Sequence, residues 1–175
     1  MGFLDIFYPL TVIITNVFII VGVFVAYRSI SLDHDRRKKQ STIEFYDKIW
    51  EKFYPLLKII DKKPQGVLNV EDIDGDAELQ ELIREYLSIM ERFSVGVNTG
   101  VYDIYVLNRM SGFRTINSYE KLGQYIKNSR TTNPNGYKDF EEVVDWLKEI
   151  RKKPPSPEER KANIKKRVVY KNSFL

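Results

Sequence analysis

The sequence predicts an all-α protein, with a single N-terminal transmembrane helix followed by a small cytoplasmic helical bundle of about four to five helices. Two observations predict this fold class. Residues 6–26 form an uncharged, apolar run, and several later segments repeat apolar residues every three or four positions. That second spacing is the period of a helix that buries one face against a core.

The apolar run reads IFYPLTVIITNVFIIVGVFVA. At about 1.5 Å per residue, a helix of this length spans roughly 31 Å, which matches the roughly 30 Å hydrocarbon layer of a bilayer. A cleaved signal peptide fits less well, because no basic residue precedes the run and the bulky Phe24 stands where a small residue is preferred. A buried core helix is the other alternative. We predict a transmembrane helix over residues 6–27, behind a short extracytoplasmic segment at residues 1–5.

Three residues of the run are candidates for self-association in the membrane. Asn16 falls near the mid-membrane, where a polar side chain prefers a partner on another helix, and Gly22 and Ala26 form a small-xxx-small pair. A homo-oligomer is therefore a possible assembly. The alternative is that Asn16 reaches a headgroup or water.

The charges that flank the run predict its orientation. Only Asp5 precedes it, whereas residues 28–40 form a basic juxtamembrane linker that contains Arg28, Arg36, Arg37, Lys38 and Lys39. Basic residues are retained on the cytoplasmic side of a membrane. We predict a single-pass protein of the plasma membrane, with its N-terminus outside and its C-terminus in the cytoplasm.

The net charge of +4 is unevenly distributed along the chain. Residues 40–150 carry −5, whereas residues 151–175 carry +7 and include Lys165, Lys166 and Arg167. Both basic segments could face the anionic inner leaflet, where each basic residue gains about 1 kcal/mol. A nucleic-acid surface is the rival interpretation. We favour the membrane and do not expect nucleic acid as a partner, because the folded part has no basic stripe and no recognisable nucleic-acid motif.

Residues 41–150 predict one helical domain. Ser41 and Glu44 have the spacing of a capping box and predict a helix start, and Pro55 predicts a kink or a division of that helix. Asp76 predicts the N-cap of a helix over residues 77–97, which carries a continuous apolar face. A further segment covers residues 101–110 and is predicted to break at Ser111-Gly112, and helices are predicted over residues 115–128 and 138–151. Three prolines within four residues predict that the tail at 151–175 is disordered.

Three segments together resemble a known family: TIEFYDKIWEKF (residues 42–53), YLSIMERFSVGVNTGVYD (86–103) and YKDFEEVVDWL (137–147). The combination resembles the bacterial family catalogued as domain of unknown function 4760, whose members look like small helical bundles behind an N-terminal membrane helix. The family's acidic, aromatic-acid and Phe-Glu positions map onto Glu91, Tyr119-Glu120 and Phe140-Glu141. This chain has Tyr119 where the family tends to carry Trp. The resemblance implies no activity.

The residue types for catalysis are scarce. Cysteine is absent, and the single histidine, His34, lies in the linker, so no thiol and no histidine of the folded domain can activate a nucleophile. No zinc-ligand spacing and no phosphate-binding glycine loop is present, and Asp72, Asp74 and Asp76 lack the glycine and glutamate positions of a calcium loop. We therefore expect no metal, no cofactor and no enzymatic activity.

A set of polar residues near the turn after residue 97 is the best candidate for a functional cluster. Its members are Glu91, Arg92, Asn98, Tyr102, Arg109 and Arg114. We predict that Glu91 pairs with Arg109 or Arg114, either as a functional site or as a buried ion pair that fixes the register of two helices.

These observations favour a non-enzymatic, membrane-tethered module that binds an unknown protein partner. The alternative is an effector, which either oligomerises through its transmembrane helix or acts on nucleic acid or nucleotide through the helical domain.

Overall fold

The structure, a computed structural model, describes residues 3–62, 73, 75–160 and 162–164, with side chains from residue 12 onward within those ranges. The regular secondary structure of these residues is entirely helical, which confirms the predicted all-α class. The helices with defined bounds are α1 (Phe3–Lys62), α2 (Ala77–Asn98), α3 (Ile104–Lys121), α4 (Gly123–Thr132) and α5 (Lys138–Lys152). The chain divides into two compact units, Met1–Lys38 and Lys39–Leu175.

The first unit consists of the N-terminal part of α1. It contains an 18-residue window with a mean hydropathy of 2.0, none of which is buried. Since the window is exposed, it is not a core helix of the described fold, and by length and composition it could cross a membrane. The helix continues without a break through the linker at residues 28–40.

The helix start predicted at Ser41 is wrong. Ser41 lies inside α1, where the preceding turn already supplies acceptors for its backbone N–H, and the neighbouring Gln40 side chain donates to Glu44 at 2.8 Å. Pro55 also lies inside α1 and does not divide it into two helices.

The second unit has one hydrophobic core. The C-terminal third of α1 contributes Phe53, Leu56 and Ile60, which are fully buried, and α5 packs against both α2 and α3. The apolar face predicted on α2 lies in this core: its buried members are Ile83, Tyr86, Leu87, Met90, Phe93 and Val97. Asp76 caps α2 as predicted, with its side chain accepting from the Leu79 N–H at 2.9 Å.

The predicted break at Ser111-Gly112 is wrong as well. α3 runs through both residues to Lys121, and the chain instead turns at Leu122 before the short α4. Buried hydroxyls on this face of α3 have partners, because Ser118 donates to the Thr115 carbonyl at 3.0 Å and shares a 2.8 Å hydrogen bond with Tyr86. Polar residues that suggest a loop are therefore accommodated inside the helix.

The structure describes part of the tail, up to residue 160 and at residues 162–164. Ser156 and Glu159 form a capping box: the Ser156 N–H donates to Glu159 Oε2 at 2.7 Å, and the Glu159 N–H donates to Ser156 Oγ at 3.3 Å. A helical turn follows at residues 157–160, and Ile164 packs against the core. The predicted basic residues Lys165, Lys166 and Arg167 lie outside the described residues.

Candidate functional site

The predicted polar cluster does not form a single site. Glu91 and Asn98 of α2 contact the N-terminus of α5, whereas Arg114 of α3 pairs with Asp61 near the C-terminal end of α1. Arg109 of α3 lines a cleft beside the end of α5. Arg92 donates to Ser88 at 3.3 Å on its own helix. Tyr102 packs between aromatic rings, with its centroid 4.8 Å from that of Phe93.

Glu91 of α2 caps the N-terminus of α5. The residue at the cap position of α5 is Tyr137, which has a left-handed backbone (φ 59°, ψ 30°) and offers no side-chain hydrogen bond to the helix. The Glu91 carboxylate instead accepts from the N–H of Asp139 at 3.2 Å and of Phe140 at 2.8 Å. The predicted pairing of Glu91 with Arg109 or Arg114 is therefore wrong, because its carboxylate is engaged by backbone N–H groups.

Asn98 makes a second link between α2 and α5. Its buried Nδ2 donates to the Asp139 carboxylate at 2.7 Å, and weaker bonds reach the Asp139 carbonyl at 3.5 Å and Glu142 Oε2 at 3.4 Å. With Glu91, it holds the first turn of α5 against α2. This arrangement fixes the position of the first turn of α5.

The protonation of Glu91 is coupled to folding. Burial raises the pKa of Glu91 above its ordinary value of 4.5, and the backbone N–H groups of Phe140 and Asp139 only partly oppose this rise. The folded state therefore holds the Glu91 proton more tightly than the unfolded chain does. The corresponding stabilisation is present below about pH 4.5 and is lost as the pH rises through the folded-state pKa.

We expect the Glu91→Gln variant to gain stability relative to the parent as the pH rises through this range, because glutamine cannot ionise. Urea unfolding of both full-length proteins in uncharged detergent, at a series of pH values from about 4 to 7, measures the difference. Glu81→Gln, at an exposed acid of the same helix, is the control. If the parent instead gained stability relative to Glu91→Gln as the pH rises, the pKa of Glu91 would be lowered in the folded state.

Arg114 and Lys121 tie α3 to the end of α1. Arg114 pairs with Asp61 at 3.1 Å, and its guanidinium carbon lies 4.4 Å from the centroid of the Trp50 ring. The Lys121 ammonium donates to the Ile60 carbonyl at 2.6 Å. Basic groups at the C-terminus of a helix complement its dipole, so these contacts stabilise the end of α1.

Arg109 lines a cleft of about 290 Å³ between α3, the end of α5 and the segment after α5. We call this the arginine cleft; its lining residues are Tyr105, Asn108, Arg109, Ile150, Arg151, Pro154, Pro155 and Arg160. A second cleft of about 560 Å³, which Arg114 and Lys121 line, shares Asn108, Arg109 and Arg151 with it. Sequence reasoning selected Arg109 but missed Arg151, at the predicted end of the last helix, and Arg160, in the predicted disordered tail.

The membrane-association candidates lie on α1. Asn16, Gly22 and Ala26 are exposed, and a Cβ added at Gly22 would meet no atom within 4 Å. The predicted basic residues of the linker come next on the same helix; Arg37 pairs with Asp33 at 2.7 Å, and the others are Arg28, Arg36, Lys38 and Lys39. Of these five, Lys38 is partly buried and the rest are exposed.

Within the described residues no group of three or more His, Asp or Glu side chains could hold a metal ion. Asp72 and Asp74, which suggested a calcium loop at first sight, lie outside the described part of the chain.

The family model "Domain of unknown function (DUF4760)" matches residues 16–147, which is most of the chain. The chain belongs to this family. The match begins inside the apolar window of α1 and ends in α5, and it confirms the family that the three sequence segments indicated. The chain matches no curated protein and no solved structure.

The positions that resemble the DUF4760 pattern converge on α5. Glu91 caps its N-terminus, Glu120 of α3 pairs with Lys148 at 2.8 Å, and the ring of Tyr119 lies edge-on to Phe140 with centroids 5.2 Å apart. Glu141 of α5 pairs with Arg130 of α4 at 3.0 Å. In this member of the family, those positions act on the placement of α5.

Proposed function

We propose that this DUF4760 protein is a non-enzymatic interaction protein anchored in the plasma membrane. α1 crosses the bilayer with its N-terminus outside, and the unit Lys39–Leu175 is a cytoplasmic helical module that binds a protein partner. The observation that carries the proposal is the exposure of the whole apolar window of α1, in which Phe18 is 72% and Ile20 68% exposed.

The distribution of these apolar side chains supports lipid rather than a single protein partner as their neighbour. Large apolar residues are exposed around the full circumference of the helix, at Ile19, Ile20, Val21, Val23 and Phe24 among others. A helix that packs on one protein surface needs only an apolar stripe, whereas a helix that is apolar all round requires burial on every side. A bilayer supplies such burial, and the basic residues after the run support a cytoplasmic location for the second unit.

We expect the full-length protein to stay in the membrane fraction after an alkaline carbonate wash. The double variant Ile19→Lys/Val23→Lys should leave that fraction, because each charge near the bilayer centre costs about 3 kcal/mol. Ile30→Lys/Leu32→Lys is the matched control, since both residues are exposed on α1 beyond the run, and it should stay with the parent. Release of the parent by carbonate would contradict the anchor.

The orientation and the interaction role need separate measurements. A reporter that is active only in the cytoplasm, fused to the C-terminus, should be active, and an expressed but silent fusion would reverse the orientation. Purification of the full-length protein from native membranes in mild detergent should recover a partner at a fixed ratio. Recovery of the chain alone as a detergent-stable oligomer, dissociated by Asn16→Leu, would support the effector alternative.

A further inference from the structure

Three guanidinium groups line the arginine cleft, and no carboxylate lines it among the described residues. Arg109 comes from α3, Arg151 from the end of α5, and Arg160 from the helical turn after it. Like charges repel one another unless an anion lies between them. We propose that the arginine cleft binds the phosphate group of an anionic ligand.

Hydrogen bonds hold two of the three arginines in place and leave most of their N–H donors unused. Arg151 Nη1 donates to Asn108 Oδ1 at 3.4 Å, and Arg160 Nε donates to the Pro155 carbonyl at 3.1 Å. Arg109 makes no hydrogen bond or ion pair within the described residues. Since a guanidinium carries five N–H donors, most of the donors of these three side chains stay available to a ligand.

Gly112 is part of this positioning. A Cβ at residue 112 would lie 2.4 Å from Asn108 Oδ1, so the Asn108 side chain would have to move away. The absence of a side chain at Gly112 thus leaves room for the Asn108 carboxamide that accepts from Arg151. The glycine that the sequence suggested as a helix break has a packing role beside the cleft.

Tyr105, which lines the same cleft, has a buried hydroxyl. Tyr105 is only 8% exposed, and its Oη has no hydrogen-bond partner within the described residues, although the Asn163 side chain lies near enough to oppose the rise that burial causes in the Tyr105 pKa. Buried hydroxyls normally have partners. An oxygen of a bound anion would supply the missing partner.

Two acids, Asp103 and Glu159, act electrostatically on Tyr105 beside the arginines. Asp103 accepts from the Tyr105 and Val106 N–H groups at 2.8 and 3.3 Å as the N-cap of α3, and Glu159 accepts from the Ser156 N–H. Both carboxylates are held by backbone groups, and neither forms an ion pair with Arg109, Arg151 or Arg160 within the described residues.

A phosphate ester is the chemistry that fits this set of donors. Phosphate presents several oxygens in a tetrahedral arrangement, and arginine recognises such oxygens through paired N–H groups. The same chemistry is offered by the headgroup of an anionic lipid and by a small soluble phosphate ester. The exposed Phe113, whose ring centroid lies 6.0 Å from the Arg151 guanidinium, adds an apolar surface beside the cleft.

Calorimetric titration of the full-length protein in uncharged detergent micelles tests the proposal. The probes are dihexanoylphosphatidylglycerol as the lipid and glycerol 3-phosphate as the soluble ester. Arg109→Gln and Arg151→Gln should each weaken binding about tenfold or more, because each removes charge-assisted hydrogen bonds. Arg92→Gln is the matched control, since it makes the same charge change at an exposed arginine outside the cleft, and it should bind like the parent.

Tyr105→Phe separates binding from folding. The variant removes only the hydroxyl that lacks a partner, so binding should weaken while the unfolding temperature does not fall. If Arg109→Gln or Arg151→Gln loses both binding and its unfolding transition, the variant has failed to fold. Tyr105→Phe then takes its place in the comparison with the parent.

Each outcome of the titrations decides the proposal. Binding of either probe with the expected variant pattern supports it, and the probe that binds identifies the source of the phosphate. Binding of neither probe, equal losses in Arg92→Gln and the two cleft variants, or unchanged binding in Tyr105→Phe would overturn it. Because the titrations use detergent micelles, their result does not depend on whether α1 spans a bilayer in the cell.

Discussion

Replacement of Phe93 by alanine is expected to lower the free energy of unfolding by about 3–5 kcal/mol. Phe93 is fully buried, its ring stacks on Phe45 with centroids 5.1 Å apart, and it contacts Tyr102. The substitution therefore removes core volume and two aromatic contacts at once, and it leaves a cavity between α1 and α2. Urea unfolding of the full-length protein in uncharged detergent, followed by near-UV circular dichroism, measures the loss.

Phe113→Ala is the matched control for this prediction. Phe113 has the same side chain on α3, but it is 69% exposed. Its replacement should change the free energy of unfolding by no more than about 0.5 kcal/mol, as is usual for surface positions. Similar losses in the two variants would show that the core is not organised around the rings of Phe45, Phe93 and Tyr102.

The features that depend on local pattern could be predicted from the sequence. The apolar face of α2 and its Asp76 cap depend on residues within one helix, and both occur as predicted. The uncharged run of α1 is also a local property of composition. Such signals need no knowledge of which helices become neighbours.

Other local sequence signals were misleading, because the surrounding helix already makes the hydrogen bonds that the signal would provide. Ser41 and Glu44 have capping-box spacing, but a helix interior already satisfies the backbone groups that a cap would serve. The same signal at Ser156 and Glu159 forms a real cap. It was overlooked because the adjacent prolines suggested disorder, although Pro157 occupies the first helical position, where proline is favoured.

The predicted polar cluster failed for a geometric reason. Successive residues of a helix are about 100° apart, so Arg109 and Arg114, five positions apart on α3, point about 140° from each other. Arg114 therefore reaches Asp61 whereas Arg109 lines the arginine cleft, although both also line the second cleft. Glu91 and Asn98 are seven positions apart on α2 and therefore share a face, and both contact the start of α5.

The cap of α5 was beyond sequence reasoning because its donor and acceptor are distant in the chain. The acceptor carboxylate of Glu91 lies 49 positions before the Phe140 N–H that it binds. Tyr137 gave no local signal for a cap, since tyrosine is not a capping residue. Only the packing of α5 against α2 brings these groups together.

Glu91→Ala tests the role of this contact, and we expect it to lower the free energy of unfolding by about 2 kcal/mol at pH 7. Two N–H groups at the start of α5 would lose their acceptor, and the helix dipole would lose a favourable charge, each of which costs about 1 kcal/mol. Urea unfolding in uncharged detergent measures the change.

Glu81→Ala is the matched control. It removes an exposed carboxylate of α2 that pairs with Arg84 three residues later, so its loss should stay below about 0.5 kcal/mol. If the two variants lost the same stability, α5 would be held by its apolar face alone. The larger loss in Glu91→Ala would instead show that the Glu91 carboxylate contributes to holding α5 in place.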